Sequence, residues 1–404
     1  MTDWPTELER CVRCGSCRAV CPVFNISLQE NETARGRLAR LERSLQSGRF
    51  SRSDWEAFSR CLQCGRCVDV CKSAVPVPDL IRWAKRQCGG SSGISAMIAE
   101  EILPHPARLR KVAQNARRLL GWLGQATPRT SGLRLRFALP YLNRRRYIPC
   151  IPEKSFLEQV RDRPAQGTQR LALFTGCGPG LLFPEIGSAV DTVLAKLNLV
   201  AAVPNQPCCG LPAWGWGAES AARESVQSWL RAFPEKAYDT VLGVCASCTA
   251  HLQNDLSPLL AGTPQAAAAQ SAAGQIEDFV VWLYRQEWRP DLKGIKVAVH
   301  VPCHLRRGVR GGDKITPLLI ESRADVIDLP PDAASACCGL GGSFGVTNAQ
   351  LSLAIGEKKI KAMLAPRPDV IVTSCTGCLI QLRELAERAN ASIPIQHPAV
   401  LLAG

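Results

Sequence analysis

Two hydrophobic periods divide the chain. In Pro184–Leu199 the apolar residues Ile186, Ala189, Val190, Val193, Leu194 and Leu197 recur every three or four positions, which predicts a helix with one buried stripe. Four short runs are apolar almost without interruption: Arg170–Phe174, Thr240–Val244, Lys296–Val301 and Asp369–Thr373. Continuous runs of this length, rich in Val, Leu and Ile, predict strands buried on both faces, as in a parallel sheet covered by helices. Strands alternating with helices predict α/β layers in the second half of the chain. The segment Ala261–Gln275 (AGTPQAAAAQSAAGQ) is small and polar and predicts a flexible surface insertion. No apolar run approaches the roughly 20 residues of a membrane span, and Phe279–Tyr284 is only core-sized.

Cysteine changes the picture. The 404 residues include 20 cysteines. A chain this long can bury a core without disulfide staples. Its first ten residues carry acids and no apolar stretch, unlike a secretory signal. The cysteines therefore read as metal ligands in a reducing, cytoplasmic setting.

Residues 1–90 hold two copies of one spacing. Cys11, Cys14, Cys17 and Cys21-Pro22 form C-x2-C-x2-C-x3-C-P, and Cys61, Cys64, Cys67 and Cys71 repeat it, with Lys72 in place of the proline. Three close thiolates wrap one [4Fe–4S] cubane, and the fourth reaches the neighbouring cluster. The expected sets are Cys11, Cys14, Cys17 and Cys71 for one cluster, and Cys61, Cys64, Cys67 and Cys21 for the other. Neither run offers an open metal position or a general base, so the expected role is electron relay.

Residues 169–290 and 291–404 carry a second repeat. Cys177, Cys208, Cys209, Cys245 and Cys248 recur in order as Cys303, Cys337, Cys338, Cys375 and Cys378, at offsets of 126, 129 and 130 for the first, second and fourth members. Such regularity indicates duplication. Each set ends a strand, where open α/β sheets place their sites. Five thiols, two of them adjacent, exceed the four that zinc takes. Gly210 and Gly339 are expected to let the backbone approach the bound group. Gly339–Gly345 is glycine-rich but follows a ligand pair rather than a clean strand, so it reads as a loop cradling that group.

These motifs resemble the CCG-domain iron–sulfur oxidoreductases over nearly the whole length. The layout is similar to glycolate oxidase iron–sulfur subunits. It also resembles lactate dehydrogenase iron–sulfur subunits, the C subunit of anaerobic glycerol-3-phosphate dehydrogenase and heterodisulfide reductases. Supporting pieces are Ala34-Arg35-Gly36-Arg37, Pro302-Cys303-His304, Gly341-Gly342-Ser343-Phe344-Gly345 and His397-Pro398. The resemblance implies an α+β protein: a mainly helical two-cluster ferredoxin-like domain (1–90), a basic helical linker (91–168) and two α/β CCG domains with short parallel sheets. It implies one or two further noncubane [4Fe–4S] clusters on the five-cysteine sets, zinc or bare thiols being the alternative. FAD or FMN would sit on a partner flavoprotein, since this chain has no dinucleotide fingerprint, and a quinone or other acceptor would take the electrons. The competing implication is a catalytic disulfide reductase, because both Cys-x-x-Cys pairs are complete here.

Charge adds one feature. The net charge is +14, and Pro106–Arg170 alone holds 15 Lys and Arg against 3 Asp and Glu. Arg144-Arg145-Arg146 is its densest point. No nucleic-acid motif accompanies it, so a solvated face, or docking on a membrane surface or partner subunit, is expected. Cys88 and Cys150 fall outside both patterns and are expected to pack as small hydrophobes. His304, His251 and His397 are expected to be structural.

Overall fold

The computed structural model describes residues 3–90, 93–127, 132–136, 146–160, 163–164 and 170–404. Residues 3–90 are helical, wound around the two cysteine runs. The helix Ala34–Ser47 starts on Thr33, whose Oγ1 accepts from Gly36 N at 3.0 Å, and stops at Gly48 with φ +64°. Arg52–Ser59 opens with a capping box between Ser51 and Asp54. Leu38, Leu41, Phe58, Leu80, Ile81 and Ala84 close a core beneath the cysteines.

The middle segment is not wholly helical. The helix Pro106–Leu123 runs into three antiparallel strands, β1 (Gly124–Ala126), β2 (Gly132–Leu135) and β3 (Ile148–Pro149), in the order β1-β2-β3. Their sequence gives little warning, because none is longer than four residues.

Two parallel sheets follow. In the first, β4 (Leu171–Phe174), β5 (Thr240–Gly243) and β6 (Ile276–Asp278) lie in that order. In the second, β7 (Lys296–Val299), β8 (Asp325–Val326), β9 (Val370–Val372) and β10 (Ile395–Gln396) take the order β10-β9-β7-β8. The counterpart of β8 in the first repeat is reduced to a parallel bridge between Ala172 and Ala202. All four residues of β4 are buried, as a sheet covered on both faces requires. The helix Pro184–Lys196 buries Ile186, Ala189, Val190, Val193 and Leu194 against the shared core, the stripe read from the sequence. Trp229 is fully buried, stacked 4.9 Å from Phe233 and edge-on to Phe174 at 5.9 Å.

One expectation fails here. Ala266–Gln275 is a helix that buries Ala269, Ala272 and Ala273. Its alanines are small because the helix lies close against the helices Ala246–Leu260 and Glu219–Ala232; they do not mark a free linker.

The two repeats share one hydrophobic core, and their Cys-x-x-Cys ends meet. Ala246 N donates to Ser374 O at 2.9 Å, and Thr376 N donates to Cys245 Sγ at 3.4 Å. The N-terminal half docks on both repeats: Lys85 Nζ donates to Gly215 O of the first at 2.9 Å, and Arg307 of the second donates to Cys64 O at 3.0 Å. Cys21, Val23, Phe24, Leu62, Phe344 and Ile355 form a small core between that half and the second repeat.

Candidate metal centres

In the N-terminal half the two runs have the same backbone. Arg13 and Gln63 take φ of 55° and 54°, and Gly15 and Gly65 take φ of 86° and 75°. These left-handed residues curl each C-x2-C-x2-C loop so that its thiols turn inward. Helices Ser16–Val20 and Arg66–Asp69 then begin directly after the glycines. Burial raises the Cys67 thiol, with further increments from Cys61, Cys64, Cys21 and Cys17, so Cys21 of the first run sits beside the second run's set. Burial likewise raises Cys17, with Cys11 and Cys21 adding to it. Cys71 packs on the same core as Cys11 and Cys17. The Ala34–Arg37 motif braces both loops. A side chain at Gly36 would lie 2.2 Å from Glu30 O, and the buried Arg37 donates to Glu32 O and, at 2.7 Å, to Arg60 O.

The five-cysteine sets gather at the carboxyl ends of their sheets. In the first repeat Cys177 Sγ and Cys208 Sγ are 4.0 Å apart, and Cys209 lies within reach of Cys208 and Cys248. In the second repeat Cys338 Sγ and Cys378 Sγ are 3.3 Å apart. His300, on the residue after β7, completes a buried group with Cys338 and Cys378 whose ligand atoms all lie within 4.8 Å of one another. Neither His300 ring nitrogen has an oxygen or nitrogen partner. The cysteine pattern alone does not single out His300, although its place three residues before Cys303 is a usable signal. The equivalent position in the first repeat is Phe174, part of an aromatic cluster, so the two centres differ chemically.

The donor set fits iron–sulfur clusters. All 20 cysteines are unbridged, and Cys208, Cys209, Cys245, Cys338, Cys375 and Cys378 of the five-cysteine sets are buried. Hydrogen bonds between neighbouring thiols push Cys337 and Cys378 well above the ordinary range and hold Cys338 well below it.

The centres are contiguous. Cys64 lies close enough to Cys303 and Cys337 for their charges to raise one another's thiols; burial lifts Cys64 to about 12. Arg307 clamps this junction, donating to Cys64 O at 3.0 Å and pairing with Asp69. Across the repeats, Cys245 and Cys375 are hydrogen-bond neighbours, and Ser247 Oγ is 3.0 Å from Cys375 Sγ. The thiols thus run from the first ferredoxin run to the second, then to the second repeat, then to the first.

The remaining expectations divide. His304 Nδ1 is 2.9 Å from Ser247 Oγ, which links it to Cys375 rather than leaving it purely structural. His251 bonds Asp255, and His397 Nδ1 accepts from Ala399 N at 3.1 Å to start the final helix. Cys88 is half-buried on the N-terminal core, whereas Cys150 is exposed and packs as no hydrophobe. Gly339 also serves packing: its φ is +93°, a side chain there would lie 2.3 Å from Ser352 O on a neighbouring helix, and its N–H donates to Cys337 Sγ at 3.4 Å. Gly210 similarly faces Ser225. Gly341 packs on Leu62, so the glycine loop is also a docking surface for the N-terminal half. Arg144 and Arg145 lie outside the described residues, while Arg146 is bound to Glu384 and Gln381.

Comparison with known proteins agrees with this geometry. A model of the CCG cysteine-rich domain matches residues 171–253 and again 297–383, and one of a 4Fe-4S dicluster domain matches 7–75. The chain belongs to the CCG-domain iron–sulfur oxidoreductases. Among CCG-domain relatives, the glycolate oxidase iron-sulfur subunit of Escherichia coli is 24% identical, over 93% of this chain and 89% of the relative. A probable glycolate oxidase iron-sulfur subunit of Bacillus subtilis is 27% identical, over 98% and 93%. Lactate utilization protein A 1 of Bacillus anthracis is 28% identical, over 58% of this chain and 98% of the relative. Among solved structures, a hypothetical protein from Helicobacter pylori superposes with a TM-score of 0.52 at 10% identity, over 100% of this chain and 73% of that one, a likeness of fold alone.

Proposed function

We propose that this chain is the iron–sulfur electron-transfer subunit of a flavin-dependent 2-hydroxy-acid dehydrogenase of the glycolate or lactate type. A flavoprotein partner oxidises the hydroxy acid, and this chain passes the electrons to a quinone or another acceptor. One observation carries the reading: the four cysteine sets form one unbroken file, joined by Cys64–Cys303 and Cys245–Cys375. When bound, [4Fe–4S] clusters carry single electrons. The cysteines named above would hold them, with His300 beside the second-repeat set. Residues 1–90 would form the ferredoxin-like unit, 169–290 and 291–404 the two CCG units, and 91–168 the segment between. The names of the relatives support this class of complex.

Membrane contact belongs to the same proposal. Among the described residues no helix is long and apolar enough to cross a membrane. The helix Pro106–Leu123 buries no residue, contains no acid, and exposes Val112, Leu119 and Trp122 beside its arginines. That combination suits the anionic cytoplasmic face of a membrane. The chain purified alone should show iron–sulfur absorbance without glycolate or lactate oxidation, and adding the flavoprotein should restore turnover. Oxidation by the isolated chain without flavin overturns the proposal.

A second reading, reduction of a disulfide at the five-cysteine centres, is favoured by the completeness of both sets. A relative from Methanothermobacter marburgensis, named as part of a CoM/CoB fumarate reductase, is 24% identical over 95% of this chain and 69% of its own length. Paramagnetic signals that appear on adding a disulfide would select it.

A further inference from the structure

Just past β7, the chain places a histidine among the thiols of the second repeat. His300 N donates to Val372 O of β9 at 2.9 Å, which fixes the residue at the carboxyl end of the sheet. It is 1% exposed, and neither ring nitrogen has an oxygen or nitrogen partner. A buried imidazole left unpartnered costs free energy, which a ligand would relieve. The ligand atoms of His300, Cys338 and Cys378 all lie within 4.8 Å of one another, and the two sulfurs are 3.3 Å apart. One small cavity is walled by His300, Cys303, Cys337, Cys338 and Cys378, and Cys64 of the ferredoxin half reaches the same wall. The fifth cysteine of the set, Cys375, is not on that wall. Its Sγ lies 3.0 Å from Ser247 Oγ, and it is a hydrogen-bond neighbour of Cys245, both in the first repeat. Four thiols of the set and one imidazole thus face the cavity.

The first repeat has kept the thiols but not these surroundings. At the offset of 126 that relates Cys303 to Cys177, the counterpart of His300 is Phe174 and that of Arg306 is Gly180. At the offset of 129 that relates Cys338 to Cys209, the counterpart of the buried Lys359 is Leu230. Lys359 Nζ donates to Ala333 O at 2.8 Å, and Arg306 Nη2 donates to Ala334 O at 3.2 Å. Both cations therefore brace the segment that leads into Cys337 and Cys338.

We propose that His300 is a nitrogen ligand to the metal group of the second repeat, so that this centre has mixed sulfur and nitrogen ligation while the first repeat's has sulfur alone. The inference rests on the electron-relay reading and deepens it. Imidazole is neutral where a thiolate is anionic, and exchanging thiolate for imidazole raises the potential of an iron–sulfur centre. The positive charges of Lys359 and Arg306 act in the same sense. The second-repeat centre therefore accepts an electron more readily than the first, and electrons that leave the ferredoxin half between Cys64 and Cys303 collect there.

The test uses the full-length protein, purified anaerobically with isotopically labelled histidine, and pulsed electron paramagnetic resonance. The parent should show a hyperfine coupling of the size given by directly bound imidazole. His300→Phe and His300→Cys should abolish it, the cysteine variant with its iron retained. His300→Cys supplies a thiolate instead, and should make that centre harder to reduce by roughly tenfold in the one-electron equilibrium, read by spectroscopic redox titration. If the second set takes up iron but histidine gives no coupling, or only the weak coupling of a hydrogen-bonded ring, the inference is overturned and the relay reading stands. A strong coupling that survives in both His300 variants overturns it equally. Iron analysis separates the two failures: if neither five-cysteine set takes up iron, the relay reading falls and this inference with it.

Discussion

Arg307 joins the two halves of the electron path, and the cost of its removal follows from its contacts. Its guanidinium donates to Cys64 O at 3.0 Å and to Asp69 Oδ1 at 2.7 Å, and its stem lies over Gly65, where a side chain would come within 2.9 Å of Cδ. The bond to the Cys64 carbonyl is charge-assisted and half-buried, worth about 1.5–3 kcal/mol. The Asp69 side chain is 46% exposed, so its pairing adds only about 0.2–1 kcal/mol. Arg307→Ala should therefore cost about 2–4 kcal/mol of docking stability. Lysine, with one donor centre, cannot serve both acceptors, so Arg307→Lys should recover about half. Denaturant unfolding followed by Trp fluorescence measures the loss, and a double-mutant cycle with Asp69→Asn apportions it. Most of the loss should survive in the Asp69→Asn background, and reduction of the five-cysteine centres by the ferredoxin half should slow in parallel. A loss below about 0.5 kcal/mol, or one accounted for entirely by Asp69, would refute the assignment of Arg307 as the clamp on Cys64.

Other perturbations have defined outcomes. Burial pushes the Asp278 carboxyl up to about 7, while its Oδ1 accepts from Val280 N and Val281 N to start a helix. The unfolded carboxyl ionises near pH 4, so stability from this residue is present below about pH 4 and is lost as pH rises toward 7. Asp278→Asn keeps the acceptor and should remove that decline, gaining up to about 4 kcal/mol at pH 8, read from thermal midpoints at several pH values. His300→Phe copies the first repeat's Phe174 into the second; metal loss to a chelator should accelerate by roughly tenfold, and an unchanged rate would make His300 a bystander. Sedimentation with anionic vesicles should retain the protein, zwitterionic vesicles should not, and Trp122→Ala should weaken the retention several-fold.

The parts of the fold governed by strong local signals were legible. The strands at Arg170, Thr240, Lys296 and Asp369 were continuous apolar runs, and the stripe of Pro184–Lys196 has the period of its own burial. The cysteine spacings announced themselves because ligand geometry constrains sequence directly. Less visible were features set by distant partners. The alanines of Ala266–Gln275 look like linker composition until the helices they pack against are known. The packing role of Gly339 against Ser352 is invisible along the chain, because nothing local reveals Ser352 beside it. Arg307 and Asp69 are 238 residues apart, and no pattern along the chain joins them. The docking of the ferredoxin half on both repeats at once, through Lys85–Gly215 and Arg307–Cys64, is likewise a tertiary fact. His300 was legible in principle, as a histidine at a strand end close to a ligand cysteine, but His304 lies next to that cysteine and gives the stronger local signal.

The central claim is that all four cysteine sets hold iron–sulfur clusters in one electron path. Iron, acid-labile sulfide and zinc analysis of the anaerobically purified chain tests it most directly. The predicted result is about sixteen irons per chain, four for each of the four sets, with matching sulfide and negligible zinc. About eight irons with two zincs would contradict it, reducing the five-cysteine repeats to structural zinc sites and ending the path at the ferredoxin half.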